Sequence, residues 1–342
     1  MKQITLGSTG IVTPQNAFGA LPIQRVSERE AVRLLRGAHD GGMTFFDTAR
    51  AYSDSEAKVG AAFDGMRDQV TIATKSQART PDALAADLET SLANLRTDHV
   101  DVYQLHCVDR CYRPGDGTGM YEALLEFKRA GKILHVGITT HKVGVAEQIV
   151  RSGLYETLQY PLSYLSNDRE LALVRSCADA NMGFIAMKGL AGGLLNSSRA
   201  CMAFMTQFEN VVPIWGIQRQ AELDEWLSYM GDATPALDAD TRAFIARERA
   251  ELTGDFCRGC GYCMPCTVGI TINQCARMSL MLRRAPSEAW LSERWQAEMA
   301  KIDDCIDCGA CMTRCPYELP IPSLLRANLA DYRAVLAGKA QT

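Results

Sequence analysis

Phe45-Phe46-Asp47-Thr48-Ala49-Arg50-Ala51-Tyr52 is the stretch on which the reading of this chain turns. The apolar run Met43 to Phe46 reads as a short buried strand. It ends on an aspartate, and a tyrosine follows five residues later. A carboxylate and a phenol just past the end of a buried strand are poorly placed for packing and well placed for chemistry. Outward from this stretch the same construction repeats. Strands are expected at Ala17–Ala20, Met43–Phe46, Val70–Ala73, Val100–Leu105, Ile133–Gly137, Thr157–Tyr160, Gly183–Met187 and Val211–Ile214. Amphipathic helical stretches lie between them, among them Glu28–Ala38, Asp82–Leu95, Tyr121–Ala130, Val145–Ser152 and Arg169–Ala180. Eight strand–helix units in about 230 residues meet the requirement of a (β/α)8 TIM barrel, an α/β fold. An open doubly wound sheet would need a glycine-rich fingerprint after its first strand, and Phe18-Gly19-Ala20-Leu21-Pro22 is not one. Residues 1–13 read as a hairpin ahead of the barrel.

In such a barrel the C-terminal strand ends converge on the active face. Asp47 and Tyr52 follow the second strand, Lys75 the third and His106 the fourth. The four residue types have a joint use. A phenol, with a pKa of about 10, is a poor acid near neutrality. A neighbouring ammonium is expected to lower that pKa, a carboxylate to hold the ammonium, and an imidazole to orient a carbonyl oxygen.

Composition narrows the class. The 342 residues carry a formal charge of −4, which gives no electrostatic argument for a nucleic-acid partner. No apolar run approaches the roughly 20 residues that span a bilayer, and Met1–Leu6 lacks the apolar core of a signal peptide. A cytoplasmic protein with no membrane partner is expected. Of the 13 cysteines, all but Cys107, Cys111, Cys177 and Cys201 lie between Cys257 and Cys315, a crowding that points to metal rather than to disulfides. A Gly-Asp-Ala-Thr-Pro break near Gly231–Leu237 marks the expected boundary, giving domains 1–235 and 236–342.

Two cysteine runs define the second domain. Cys305, Cys308, Cys311 and Cys315, followed by Pro316, have the C-x2-C-x2-C-x3-C-P spacing of bacterial [4Fe–4S] ferredoxins. Cys257, Cys260, Cys263 and Cys266 form a run one residue shorter, with Thr267 in place of the proline. Two [4Fe–4S] clusters are expected, and zinc is the weaker alternative. By the rule for two-cluster ferredoxins, the fourth cysteine of each run serves the other cluster. Cys257, Cys260 and Cys263 then pair with Cys315, and Cys305, Cys308 and Cys311 with Cys266. Ile272–Arg284 and Ser287–Ile302 read as helices, and Cys275 on the first as a core thiol.

The chain resembles the aldo-keto reductases. The resemblance rests on Leu6-Gly7-Ser8-Thr9-Gly10, Phe18-Gly19, Phe46-Asp47-Thr48-Ala49 with Tyr52 and Ser55-Glu56, Ala73-Thr74-Lys75, Asp87 to Leu95, and Asp98 to His106. It implies Tyr52 as general acid/base, Lys75 as its modulator, Asp47 as partner of Lys75, and His106 as the carbonyl-orienting residue. It also implies an extended NADP(H) or NAD(H) across the barrel mouth. Thr139, Thr140 or His141, with Gln159, would meet the carboxamide. Lys188-Gly189-Leu190-Ala191-Gly192 would cradle the pyrophosphate. Pro213–Leu223, with Gly216, Arg219 and Glu222, would lie beside the adenosine, where Arg219 could pair with a 2′-phosphate. Trp226 departs from the asparagine usual at its position. With its cysteines the chain is similar to a subgroup bearing a C-terminal dicluster ferredoxin-like domain. The expected function is NAD(P)H-dependent reduction of a small-molecule carbonyl. One alternative is an electron-transfer oxidoreductase fed by ferredoxin or another redox protein. A second is a non-catalytic redox sensor or interaction protein.

Overall fold

A computed structural model describes residues 1–252, 256–284 and 287–341. Strands β1 (Gln3–Thr5) and β2 (Val12–Pro14) form an antiparallel hairpin. Eight parallel strands then close a barrel: β3 (Ala17–Gly19), β4 (Phe45–Asp47), β5 (Thr71–Ser76), β6 (Val100–Leu105), β7 (Ile133–Thr139), β8 (Thr157–Pro161), β9 (Gly183–Met187) and β10 (Val211–Gly216), with β10 returning to pair with β3. The intervening helices are α1 (Glu28–Asp40), α2 (Ser55–Phe63), α3 (Pro81–Leu95), α4 (Met120–Arg129), α5 (Val143–Ser152), α6 (Asp168–Asp179), α7 (Ser198–Met205) and α8 (Gln220–Leu227). The (β/α)8 architecture anticipated from the alternation is therefore present. Helix α2 is the element that apolar periodicity does not announce. Its buried face carries Ser55, Glu56 and Lys58, satisfied by hydrogen bonds rather than by apolar neighbours. Ser55 Oγ donates to the Ala20 carbonyl (2.9 Å), Lys58 Nζ to those of Ile23 and Val26 (3.1 and 2.8 Å), and Glu56 Oε1 accepts from Thr74 Oγ1 (2.7 Å).

The barrel interior is layered by the two-residue period of its strands. Ala17, Phe45, Ala73, Val102, Ile185 and Val212 form an apolar floor, closed from below by Ile4 and Leu6 of the hairpin segment. Two residues further along three of these strands stand Asp47, Lys75 and Gln104, all buried. Phe46, between Phe45 and Asp47, points to the other side and packs on Phe63 of α2, ring centroids 4.5 Å apart.

The chain divides into two compact units, Met1–Gly189 with Arg199–Thr241, and Leu190–Ser198 with Arg242–Thr342. The sequence reading placed a single boundary at residue 235. The segment Leu190–Ser198 goes with the C-terminal unit because two of that unit's arginines hold its carbonyls, Arg277 at Gly192 and Arg284 at Leu194, each at 2.8 Å. That unit contains α9 (Ala239–Glu251) from Arg242 onward, α10 (Ile272–Cys275), α11 (Met278–Arg284), α12 (Ser287–Trp290), α13 (Glu293–Ala300), α14 (Ala310–Arg314) and α15 (Ile321–Leu336). Ile321, Leu325, Leu329 and Tyr332 line one face of α15 and pack with Ile270, Ile272, Met278, Leu282, Met299 and Ile302. The two long helices expected between the cysteine runs are broken into shorter pieces. No described helix is long and apolar enough to cross a membrane.

Gly60 marks the closest approach of α2 to α3: a Cβ there would lie 2.2 Å from the Asn94 carbonyl oxygen and 2.8 Å from the Leu95 carbonyl carbon. Backbone cannot swing aside as a side chain can. Gly60→Ala is therefore expected to destabilise the barrel by about 1–3 kcal/mol, read as a lowered urea midpoint at unchanged slope. An unchanged midpoint would mean that the helices separate freely.

Candidate active site and cysteine clusters

Asp47 is the last residue of β4, Lys75 lies near the end of β5, and His106 directly follows β6. Lys75 Nζ donates to Asp47 Oδ1 (2.7 Å) and to the Thr48 carbonyl (2.6 Å). Both side chains are buried, at 1% and 2% exposure. Tyr52 lies in the segment between β4 and α2, and its ring centroid is 5.1 Å from Lys75 Nζ. The His106 ring stands edge-on to it, centroids 5.8 Å apart at 84°. The structure thus brings all four residues into one cluster above the apolar floor.

Gln104 belongs to this cluster and was not singled out from sequence. Its Nε2 donates to Gln159 Oε1 (2.8 Å) and approaches Asp47 Oδ2 (3.5 Å). The available signal was alternation, since Gln104 precedes His106 by two residues and so shares its face. Gly137, its register partner on β7, makes room for it: a Cβ there would lie 2.4 Å from Thr157 Oγ1 and 2.7 Å from Gln104 Cγ.

The electrostatics differ in one respect from the sequence expectation. Burial raises the Tyr52 phenol above its ordinary pKa, and the charges of Asp47 and Cys107 push in the same direction. Lys75 does not produce the expected depression, because its ammonium is neutralised by Asp47 at contact distance. Burial also raises the Asp47 carboxyl, against the pull of Lys75. His106 is held down to about 3 by burial, with Lys75 and Arg79 adding to the effect. Its imidazole is therefore neutral at working pH. Its Nδ1 is buried without a hydrogen-bond partner among the described residues.

The residues expected around a dinucleotide divide into several groups. Gln159 lies beside Asp47 through Gln104. Thr139 and Thr140 are buried and engaged, Thr139 Oγ1 accepting from the Cys107 N–H (2.8 Å) and Thr140 Oγ1 donating to the Val108 carbonyl (2.8 Å). His141 Nδ1 is 3.7 Å from Cys107 Sγ, and Cys107 has a left-handed backbone (φ 57°). In the loop after β9, Lys188, Ala191 and Gly192 all have positive φ (59°, 47° and 71°), and Gly189 lies against Trp215, where a Cβ would lie 2.4 Å from the ring. Lys188 and Gly189 belong to the first unit and Leu190, Ala191 and Gly192 to the second. Gly216 ends β10 and is exposed. Arg219 is engaged by Glu222, which accepts from its Nε (2.8 Å) and caps α8 by accepting from the Arg219 N–H (3.1 Å). Trp226 is a core residue, stacked on Trp215 at 3.9 Å and 10°.

In the C-terminal unit the thiols gather in two sets. Cys260 and Cys315 exert their charge on Cys257, and all three on Cys263, so these four side chains are neighbours. The Gly259 N–H donates to Cys257 Sγ (3.4 Å). Cys266 instead joins Cys305, Cys308 and Cys311 around a pocket of about 420 Å3, open mouth included, and Cys263 also reaches its wall. Among the described residues no three such side chains meet at one point as ligands of a single ion would; this second set surrounds a volume. Cys257 and Cys263 are buried, whereas Cys308 is exposed. Cys275 is fully buried, and burial raises its thiol to about 12.

Residues 6–232 match the model of the aldo/keto reductase family. This chain belongs to that family. Residues 256–320 match a 4Fe-4S dicluster domain, so the aldo/keto reductase barrel is followed by an iron–sulfur domain. An uncharacterized oxidoreductase of Bacillus subtilis, YrpG, is 30% identical over 226 residues, covering 57% of this chain and 68% of the relative. The Bacillus subtilis aldo-keto reductase YhdN is 28% identical over 214 residues, covering 57% of this chain and 64% of its own length. The chain thus spans about two thirds of the length of these relatives. Among solved structures, a Klebsiella pneumoniae aldo-keto reductase in complex with NADPH shares the fold at TM-score 0.61 and 22% identity, over 73% of this chain and 95% of that one. The holo form of an aldo-keto reductase from Bacillus halodurans does so at TM-score 0.63 and 20% identity, over 72% and 96%.

The Asp47–Lys75 pair yields a stability prediction. Removing one partner leaves an uncompensated buried charge, so Asp47→Leu is expected to destabilise the protein by about 3–5 kcal/mol. The double variant Asp47→Leu/Lys75→Met should recover most of that loss. Denaturant melts of the two variants check it, and a double variant no more stable than the single one would contradict it.

Proposed function

We propose that this aldo/keto reductase catalyses NAD(P)H-dependent reduction of an aldehyde or ketone, with Asp47, Tyr52, Lys75 and His106 as its catalytic residues. The observation that supports it is the cluster itself: a buried Lys75–Asp47 pair with the Tyr52 phenol and a neutral His106 imidazole beside it. When bound, a nicotinamide would supply the hydride. Tyr52 holds the proton at its hydroxyl and gives it up to the substrate oxygen as negative charge develops there. Its raised pKa keeps the acid form ready at neutral pH, and an alkoxide is basic enough to take the proton. His106, neutral and with a ring nitrogen that has no partner among the described residues, orients the carbonyl by a hydrogen bond. Lys75, held by Asp47, stands beside the phenol and positions it, and Gln104 approaches the Asp47 carboxylate from the other side. The consecutive left-handed residues Ala191, Gly192 and Gly193 suit a backbone cradle for an anion. Arg219 is bound to Glu222 through Nε and Nη2, and its side chain is largely exposed, so its guanidinium could also meet a 2′-phosphate.

In the second unit, the two thiol sets fit two [4Fe–4S] clusters, Cys257, Cys260, Cys263 and Cys315 on one and Cys266, Cys305, Cys308 and Cys311 on the other. Shared walls between the runs support the crossed fourth ligands, and the N–H bond to Cys257 Sγ suits a thiolate. When bound, such clusters carry single electrons. The exposure of Cys308, with Ile306 at 66% and Met312 at 43% nearby, favours exchange with an external redox protein such as a ferredoxin. This is the second reading, in which the chain is an electron-transfer oxidoreductase.

Tyr52→Phe should lower kcat for carbonyl reduction by about 10²–10⁴-fold while leaving dinucleotide binding intact by fluorescence titration; undiminished turnover would sink the assignment. The pH profile follows from the shifts. A raised phenol pKa and a depressed His106 pKa leave both groups in their working forms across neutrality, so reduction should be flat there. Alcohol oxidation needs the phenolate and should climb with pH up to and beyond about 10. A reduction rate that falls as pH rises through neutrality would contradict this. Crossed ligation makes a separate prediction. Cys266→Ala/Cys308→Ala should retain one cluster's iron, and Cys257→Ala/Cys266→Ala should lose both, as measured by iron and acid-labile sulfide. The reverse pattern would mean that each run holds its own cluster.

A further inference from the structure

Arg277 is a buried guanidinium, 6% exposed, between α10 and α11. Its Nη1 donates to the Gly192 carbonyl (2.8 Å), and its Nη2 and Nε to Gln274 Oε1 (3.0 and 3.3 Å). All of these acceptors are neutral. Among the described residues no carboxylate lies within ion-pair distance of it. Buried charges are ordinarily paired, because a lone one forfeits its hydration. The group it packs against is the first cysteine loop. A Cβ at Gly259, between Cys257 and Cys260, would lie 2.7 Å from Nη1 and 2.8 Å from Cζ of Arg277. A Cβ at Gly192 would lie equally close, 2.7 Å from Nη1. Both glycines have positive φ, 68° and 71°. The guanidinium therefore lies against two backbone segments that have no room for a side chain, and one of them carries two thiols.

The cations near the other thiol set differ. Arg326 is paired with Asp307, and both are more than half exposed. Arg333 is likewise exposed and paired with Asp303. Arg314 donates to the Pro265 carbonyl (3.2 Å) from an exposed position. Solvent and carboxylates screen these charges, whereas nothing described here neutralises Arg277.

We propose that Arg277 is the counter-ion of the cluster held by Cys257, Cys260, Cys263 and Cys315, and that it raises that cluster's reduction potential. The inference rests on the cluster assignment made above. A four-thiolate [4Fe–4S] cluster is anionic and gains a further negative charge when it accepts one electron; no bond forms or breaks. Burial of Cys257 and Cys263 opposes that gain, and an adjacent buried cation offsets the opposition. Gly259, against which Arg277 lies, donates its N–H to Cys257 Sγ, which favours the more negative state in the same way. The buried cluster is thereby kept reducible from the exposed one.

The test is an anaerobic, EPR-monitored potentiometric titration of the full holo chain with dithionite as reductant. The first cluster's signal is assigned from Cys266→Ala/Cys308→Ala protein. In Arg277→Gln, the ratio of reduced to oxidised first cluster at fixed potential should fall by about tenfold or more, which is about 59 mV downward for a one-electron couple. The second cluster should not move, Arg277→Lys should retain most of the ratio, and Arg326→Gln should leave the first cluster unchanged. An unshifted first cluster in Arg277→Gln, or an equal fall in Arg277→Lys, overturns the proposal. Should Arg277→Gln not load the cluster, Arg277→Met is measured instead. Failure of both neutral variants where the lysine variant loads supports a counter-ion, and failure of all three overturns a role specific to charge. Wild-type protein holding iron for fewer than two clusters would overturn the two-cluster reading, whatever Arg277 does.

Discussion

Lys75 and Asp47 place two charges in the interior of a barrel where neither is hydrated, and much of the surrounding structure serves to make that tolerable. Contact at 2.7 Å and the Thr48 carbonyl satisfy the ammonium. Gln104 and Gln159 line the carboxylate side, and Gly137 yields the space that Gln104 needs. The pair can stand there only because the layer below is dry: Phe45, Ala73 and Val102 occupy the preceding inward positions of the same three strands, and the hairpin segment seals them from beneath. The two-residue period of a strand thus carries an apolar floor directly into a polar site. Tyr52 and His106 take their environment from this arrangement. Both are desolvated by it, which holds the phenol in its acid form and the imidazole neutral.

The C-terminal unit meets a different constraint. Its helices bury an apolar face along α15; Cys257 and Cys263 belong to that core, and Cys266, Cys305, Cys311 and Cys315 pack against it. Cys275 shows the contrast: it is fully buried in the core, with a thiol pKa too high for easy ionisation. The remaining cysteines of the two runs line loops and pockets where backbone N–H groups and cations reach them. Crossing of the fourth ligands would tie the two runs together, so that neither loop could settle without the other.

Much of this was legible in the sequence. Strand–helix alternation foretold the barrel because each strand is a short apolar run and most helices carry an apolar stripe. Helix α2 is only weakly announced by apolar periodicity, because its buried residues mix Ser55, Glu56 and Lys58 with Val59, Ala62 and Phe63. The polar residues at the strand ends were visible because they interrupt packing patterns. Gln104 was passed over within a strand, although its phase matched that of His106. The pKa of Tyr52 could not be read from the residue types, since it depends on whether Lys75 faces the phenol with its charge free or already neutralised. The allegiance of Leu190–Ser198 was equally hidden. It is set by Arg277 and Arg284, which lie far along the chain from the carbonyls they hold. Trp226 looked like an anomaly in a binding segment, and its stacking on Trp215 gives it a packing role instead.

Isotope transfer separates hydride chemistry at the barrel from electron delivery through the clusters. Cluster-replete protein would be mixed anaerobically with (4R)- and, separately, (4S)-deuterated NADPH and a panel of aromatic aldehydes and α-dicarbonyls, and the alcohol products analysed by mass spectrometry and NMR. Hydride transfer at the Tyr52 site predicts that one of the two labels, and not the other, arrives on the carbinol carbon. Carbinol hydrogen drawn from solvent with both labels, or no carbonyl in the panel reduced, would contradict it.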